Sequence, residues 1–157
     1  MVLRLKFGHR SLGRRLASAD FLAACLLAGT ASTATQFTDA ILMPVPLSRQ
    51  RLRERGFNQA LEIARPVARA LRLPLDTSSL VRVRETTPQT LLPWRARKSN
   101  VRHAFECCRD FSGQSVIVVD DVMTTGATLD AVARTLKDHG AAHVINWVAA
   151  RAVRRFT

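Results

Sequence analysis

Apolar positions along this chain keep two periods, and the two alternate. Leu12, Leu16, Ala19, Ala23 and Leu26 recur three and four residues apart, as one buried face of a helix requires. Thr30 to Gln36 reads as a small polar connection, so that 1–36 forms an N-terminal helix with its link. Ala40 to Val45 is a short apolar run closed by Pro44 and Pro46, which predicts a buried strand entering a shaped loop. From Asn58 to Leu73 the helical period returns at Ala60, Leu61, Ala64, Val67, Ala68 and Leu71, and Pro66 is expected to kink or split that helix. Leu80 to Val83 predicts a strand, followed by a polar, irregular stretch from Arg84 to Asn100. Val116 to Val119 is a continuous β-branched run, the pattern of a strand covered on both faces. Thr128 to His139 is helical again, stopped by Gly140, and Val144 to Ala150 supplies a last strand. Strands alternating with helices predict a parallel α/β sheet.

Composition sets the scale. The 157 residues, 47% apolar and 23% charged, suit one compact domain over 1–157 and exclude a disordered tail, a disulfide-stapled miniprotein or a multidomain machine. Lys+Arg number 24 against 12 acidic residues, a formal charge of +12 that favours polyanionic partners. Almost all of that charge is arginine, which suits forked recognition of phosphate but equally follows from a coding bias, so net charge names no partner. Cys25, Cys107 and Cys108 make no disulfide framework and no CxxC pair, which points to a reduced, cytoplasmic setting. His139 and His143 have the spacing of helical metal ligands, but Gly140 lies between them. The basic N-terminus before Phe21 to Ala28 has a second reading as a secretory signal, which Asp20 and the short apolar run oppose. No stretch approaches the roughly 20 apolar residues of a membrane span.

The segment Val116-Ile-Val-Val-Asp-Asp-Val-Met-Thr-Thr-Gly-Ala-Thr128 carries the most chemistry. Its apolar run is expected to deliver Asp120 and Asp121 to the carboxyl end of a strand, where open α/β sheets bind ligands. Thr124, Thr125, Gly126, Ala127 and Thr128 then turn into a helix, with Gly126 permitting close backbone approach. Consecutive N–H groups and hydroxyls at the positive end of a helix dipole cradle one phosphate monoester. The carboxylates beside it suit a ligand with hydroxyls next to its phosphate, such as a ribose. An ordinary capped turn with solvated aspartates is the competing reading, weakened because these are the only adjacent carboxylates in a cationic chain.

The same thirteen residues closely resemble the phosphoribosyl pyrophosphate (PRPP) signature of type I phosphoribosyltransferases. Pro44-Val-Pro-Leu-Ser-Arg49 and Arg55-Gly-Phe-Asn-Gln-Ala60, with Thr87, Gln89, Leu92, Arg97, Asn100 and Phe105, resemble runs of the ComF/GntX-like competence-protein family. The resemblance implies a three-layer, Rossmann-like parallel sheet of the type I kind. It implies that Asp120 and Asp121 hold the ribose hydroxyls beside Mg2+, directly or through water, and that Thr124 to Thr128 bind the 5′-phosphate. It places the pyrophosphate after the first strand, near Ser48, Arg49, Arg55 and Gly56, where alternating arginines would be spread around the axis on a helix and share one side on an extended loop. Many members carry an N-terminal four-cysteine zinc ribbon, which this chain is expected to lack.

Phosphoribosyl transfer displaces pyrophosphate from ribose C1 by a nitrogen nucleophile, so a protein supplies geometry, metal and charge stabilisation. Arg55 and Arg97 are the candidate catalytic residues, and a mobile loop over 84–105 is expected to close over the site. An evident base is missing: Thr124 stands where purine-salvage relatives often place an aspartate, and Glu85 and His103 are weak substitutes. The alternative is a competence protein that binds single-stranded DNA and uses PRPP as a regulatory ligand. A homodimer is compatible with either reading.

Overall fold

A nine-residue strand organises the computed structural model, which describes residues 12–34, 38–83 and 103–152. This is β4 (Ser115–Met123), the centre of a parallel sheet, with β1 (Ile41–Pro44) on one side and β5 (His143–Arg151) on the other. Val116 to Val119 are fully buried, as the β-branched run requires. Their side chains alternate between two cores. Ile117 and Val119 pack with α1 (Leu12–Ala34) and α3 (Gln59–Leu71), through Ala19, Ala23, Leu26, Ile63 and Val67. Val116 and Val118 pack against α4 (Ala127–Asp138), through Leu129, Val132 and Leu136. Three layers result, the α/β architecture expected.

Several elements depart from the pattern reading. α1 runs on to Ala34 through the stretch read as a connection, and Thr30 Oγ1 donates to Leu26 O at 2.7 Å, which satisfies its hydroxyl inside the helix. Leu12 and Leu16 lie outside the described side chains. α3 starts at the expected Asn58, whose side chain accepts from Ala60 N, and continues unbroken through Pro66. Leu80 to Val83 does not join the main sheet. β2 (Leu80–Arg82) pairs antiparallel with β3 (Phe105–Cys107), a strand the periodicity missed. The expected mobile loop over 84–105 is therefore too long at its end, because Ala104 and Phe105 are buried in the core; residues 84–102 lie outside the described residues. At the end of α4, Gly140 has φ +88, and a Cβ there would stand 2.6 Å from Ser112 Oγ. No helix among the described residues is long and apolar enough to cross a membrane.

The order of strands and helices creates one special crevice. The chain leaves β1 through α3 on the first face and returns at Leu75, which bridges Leu42 on the outer side of β1. It leaves β4 through α4 on the opposite face and returns as β5. The two crossovers diverge from the boundary between β1 and β4. Such a switch point leaves an open crevice at the carboxyl ends of its strands, where ligands of α/β sheets bind.

Candidate active site

Register places the two aspartates at that crevice. Pro44, the last residue of β1, lies opposite Val119, so Asp120 and Asp121 project past the end of β1. They are not past the end of their own strand: β4 continues to Met123 because β5 pairs with it as far as Arg151. The expectation of aspartates at a strand tip thus holds on the β1 side alone. Val45 N–H donates to Val119 O at 2.9 Å, and Asn58 Nδ2 donates to Val45 O at 3.0 Å, fixing the chain that passes beside them.

Both carboxylates are half-buried. Asp121 N–H donates to Asp120 Oδ1 at 3.0 Å, and Val122 N–H donates to Asp121 Oδ1 at 2.9 Å. Neither forms an ion pair among the described residues, where the pairs are Arg65–Glu62 and Arg109–Asp76. Burial and the neighbouring charge of Asp121 push the Asp120 carboxyl up to about 7, against a partial opposing effect of Arg82. A carboxylate pair in this state favours any ligand that brings positive charge or hydroxyl donors to it.

The turn that follows supplies the complementary half. Gly126 has φ +80 and starts α4, while a Cβ added to it would meet only Met123 Sδ at 3.7 Å. Within the protein its requirement for glycine is conformational. No side chain caps α4, whereas α2 (Arg49–Arg55) is capped by Ser48 and α3 by Asn58. The contact nearest to a cap is long, with Ala127 N–H donating to Thr125 Oγ1 at 3.4 Å. Thr124 and Thr125 are exposed, and Thr128 is half-buried in the first turn. An uncapped helix start beside exposed hydroxyls is suited to an anion.

The candidate pyrophosphate residues take the helical one of the two arrangements. Arg49 to Arg55 form helix α2, not an extended loop, so Arg49 and Arg55 point roughly 120° apart around its axis. Ser48 is 4% exposed, and its Oγ accepts from Arg51 N, a cap that a pyrophosphate would have to share. Gly56 ends the helix at φ +76, donating its N–H to Leu52 O at 2.7 Å. Arg49 and Arg55 are exposed, and no residue of α2 is buried. Arg97 and Glu85 lie outside the described residues. His103 is exposed at φ +62 and stands in a groove of about 710 Å³ between β3 and α4, which shares only Ala127 with the phosphate turn.

His139 Nδ1 lies 2.8 Å from Thr135 O, His143 starts β5, and no group of three His, Cys, Asp or Glu side chains could hold an ion among the described residues. All three cysteines are free thiols.

Comparison with known proteins gives the fold and the family. Residues 58–154 match the phosphoribosyl transferase domain family. The chain is 36% identical over 153 residues to the DNA utilization protein YhgH of Shigella flexneri, covering 96% of this chain and 66% of that protein, just under two thirds of its length. It is also 36% identical over 107 residues to the competence protein ComFC of Bacillus subtilis, covering 65% of this chain and 40% of that one. Among solved structures, a purine phosphoribosyltransferase from Pyrococcus horikoshii superposes with a TM-score of 0.53 at 17% identity, over 83% of this chain and 72% of the other. The fold is therefore that of the type I phosphoribosyltransferases, and the chain belongs to the phosphoribosyl transferase domain family, related to the competence and DNA utilization proteins.

Proposed function

We propose that this protein, acting as one phosphoribosyltransferase-like domain, binds PRPP with Mg2+ and transfers the phosphoribosyl group to a nitrogen acceptor, releasing pyrophosphate. The observation that carries the reading is a coincidence of two features at one crevice. A pair of adjacent, like-charged carboxylates, Asp120 and Asp121, lies beside the one described helix of ten residues or more that starts at this crevice without a side-chain cap. In this reading Asp120 and Asp121 take the ribose hydroxyls, and the turn from Thr124 to Thr128 takes the 5′-phosphate. The pyrophosphate lies near Ser48, Arg49, Arg55 and Gly56, and Arg55 and Arg97 offset the charge that grows on it.

The donor set fits Mg2+. Both groups offer hard oxygen atoms, two protein carboxylates are enough when phosphates and water complete the shell, and a dication relieves their mutual repulsion. When bound, the ion would neutralise charge on the leaving pyrophosphate. The protein's own share is positioning, water exclusion and a fixed electrostatic field.

A second reading is favoured by α2, which exposes Arg49, Arg53 and Arg55 with no buried residue, and by relatives named for DNA utilization and competence. There the site binds PRPP as a regulatory ligand and the arginines follow a single-stranded DNA backbone. Calorimetric titration of Mg2+ with PRPP into the wild type, Asp120→Asn and Asp121→Asn tests the site. Unchanged affinity in both variants removes the proposal. Pyrophosphate release across a panel of nucleobases supports transfer; its absence, together with salt-sensitive oligonucleotide binding, favours the second reading.

A further inference from the structure

Asn58 makes two bonds with one amide. Its Oδ1 accepts from Ala60 N at 3.0 Å and caps α3, while its Nδ2 donates to Val45 O at 3.0 Å, 13 residues back along the chain. Capping alone would be met as well by aspartate or serine. The second bond would not: aspartate would face the carbonyl with another acceptor, and serine is too short to reach both partners. The pairing calls for asparagine, and it fixes which end of the amide is which.

Val45 is 5% exposed, and its own N–H is held at 2.9 Å by Val119 O, on the residue before Asp120. Two hydrogen bonds thus link the start of α3 to the doorstep of the carboxylate pair. Between Val45 and Asn58 the chain makes an excursion over 46–57 that contains α2 and returns to its starting point, as Ω-loops do. The excursion is built locally. Ser48 Oγ accepts from Arg51 N, Gln50 Nε2 donates to Glu54 Oε1 at 2.9 Å, and Gly56 N–H donates to Leu52 O. No residue of α2 is buried. An element with so little packing takes its place from its ends, and the Asn58 amide joins those ends.

We infer that Asn58 is a positioning residue for this site: its amide clasps 46–57 to Val45 and so sets where Ser48, Arg49, Arg55 and Gly56 stand relative to the carboxylate pair. The inference rests on the function proposed above, in which these four lie near the pyrophosphate. Without the clasp, a ligand that uses them must first order the excursion, and that cost appears as lost affinity. A ligand without the diphosphate does not meet it.

The test uses the full chain as wild type, Asn58→Ser and Asn58→Ala. Both substitutions remove the bond to Val45, but serine still caps α3. Calorimetry in Mg2+ is expected to show PRPP weakened about five- to tenfold in both variants, with ribose 5-phosphate changed by less than about twofold. Hydrogen exchange should quicken over 47–57 in both. The first turn of α3 should lose protection in the alanine variant alone, which also melts lower. A merely structural asparagine would give losses that follow the cap, larger in Asn58→Ala than in Asn58→Ser and alike for both ligands. That pattern, or unchanged PRPP affinity or unchanged exchange in the serine variant, overturns the assignment and leaves the PRPP site standing. A wild type that binds neither ligand overturns both.

Discussion

Asp76 and Asp120 are both aspartates beside strands of a strongly cationic chain, and the fold treats them in opposite ways. The Asp76 side chain is 7% exposed and accepts from Ser78 N at 3.1 Å, Ser79 N at 3.0 Å, Ser79 Oγ at 2.6 Å and Arg109 Nη1 at 3.1 Å. Burial alone would raise its pKa, but these donors outweigh it and hold the carboxyl below its usual value. Asp120 accepts from the Asp121 N–H and is opposed by a second carboxylate, and its pKa rises to about 7. The first aspartate is finished by the protein, tying the start of β2 to the end of β3. The second keeps a like charge beside it, and in the proposed function a ligand offsets that charge. The contrast within one chain is measurable.

The sharpest break of the contrast is the double variant Asp120→Asn/Asp121→Asn. Loss of two charge-assisted contacts is expected to weaken Mg2+-dependent PRPP binding by about a hundredfold or more in calorimetry, with the fold intact by circular dichroism. Asp76→Ala should do the reverse. It leaves Arg109 and the Ser79 donors unpaired, costing about 2–3 kcal/mol and roughly 5–10 °C in melting temperature, with little change in affinity.

The pH dependence separates the two aspartates by sign. Asp120 titrates near 7 in the folded chain, above its unfolded value of roughly 4, so the folded state holds an extra proton between them. Its contribution favours folding below about pH 4 and is lost as pH rises toward about 7, on the order of 1 kcal/mol after screening. Asp120→Asn should therefore melt higher than wild type at pH 8 in chelator and show a flatter profile across that window. Asp76 works the other way, stabilising above its unfolded pKa and ceasing to do so as acid passes through its depressed one. The smallest expected effect is Gly126→Ala, which strains a residue at φ +80 by about 1 kcal/mol and weakens ribose 5-phosphate binding several-fold.

Legibility in the sequence followed burial. Val116 to Val119 announce β4 because both faces are covered, and the acids and threonines after them were readable by their chemistry. The continuation of β4 to Met123 was not, because the ladder there is held by β5, a partner no local pattern shows. α2 has no buried residue, so periodicity had nothing to find, although Ser48 and Gly56 bracket it as cap signals do. β3 is three residues long, below the reach of any alternation count. Arg82 stands opposite Phe105 with 22 residues of chain between them, a pairing no local pattern shows.

The bare beginning of α4 has a dynamic consequence. Amide hydrogens at Thr128 and Leu129 are expected to trade rapidly with solvent in the free protein, since no side-chain acceptor shields that turn. A guest anion lodged there would slow the exchange at just these positions. The last hydrogen bonds of this secondary structure would then belong to the visitor, and folding would be completed by arrival.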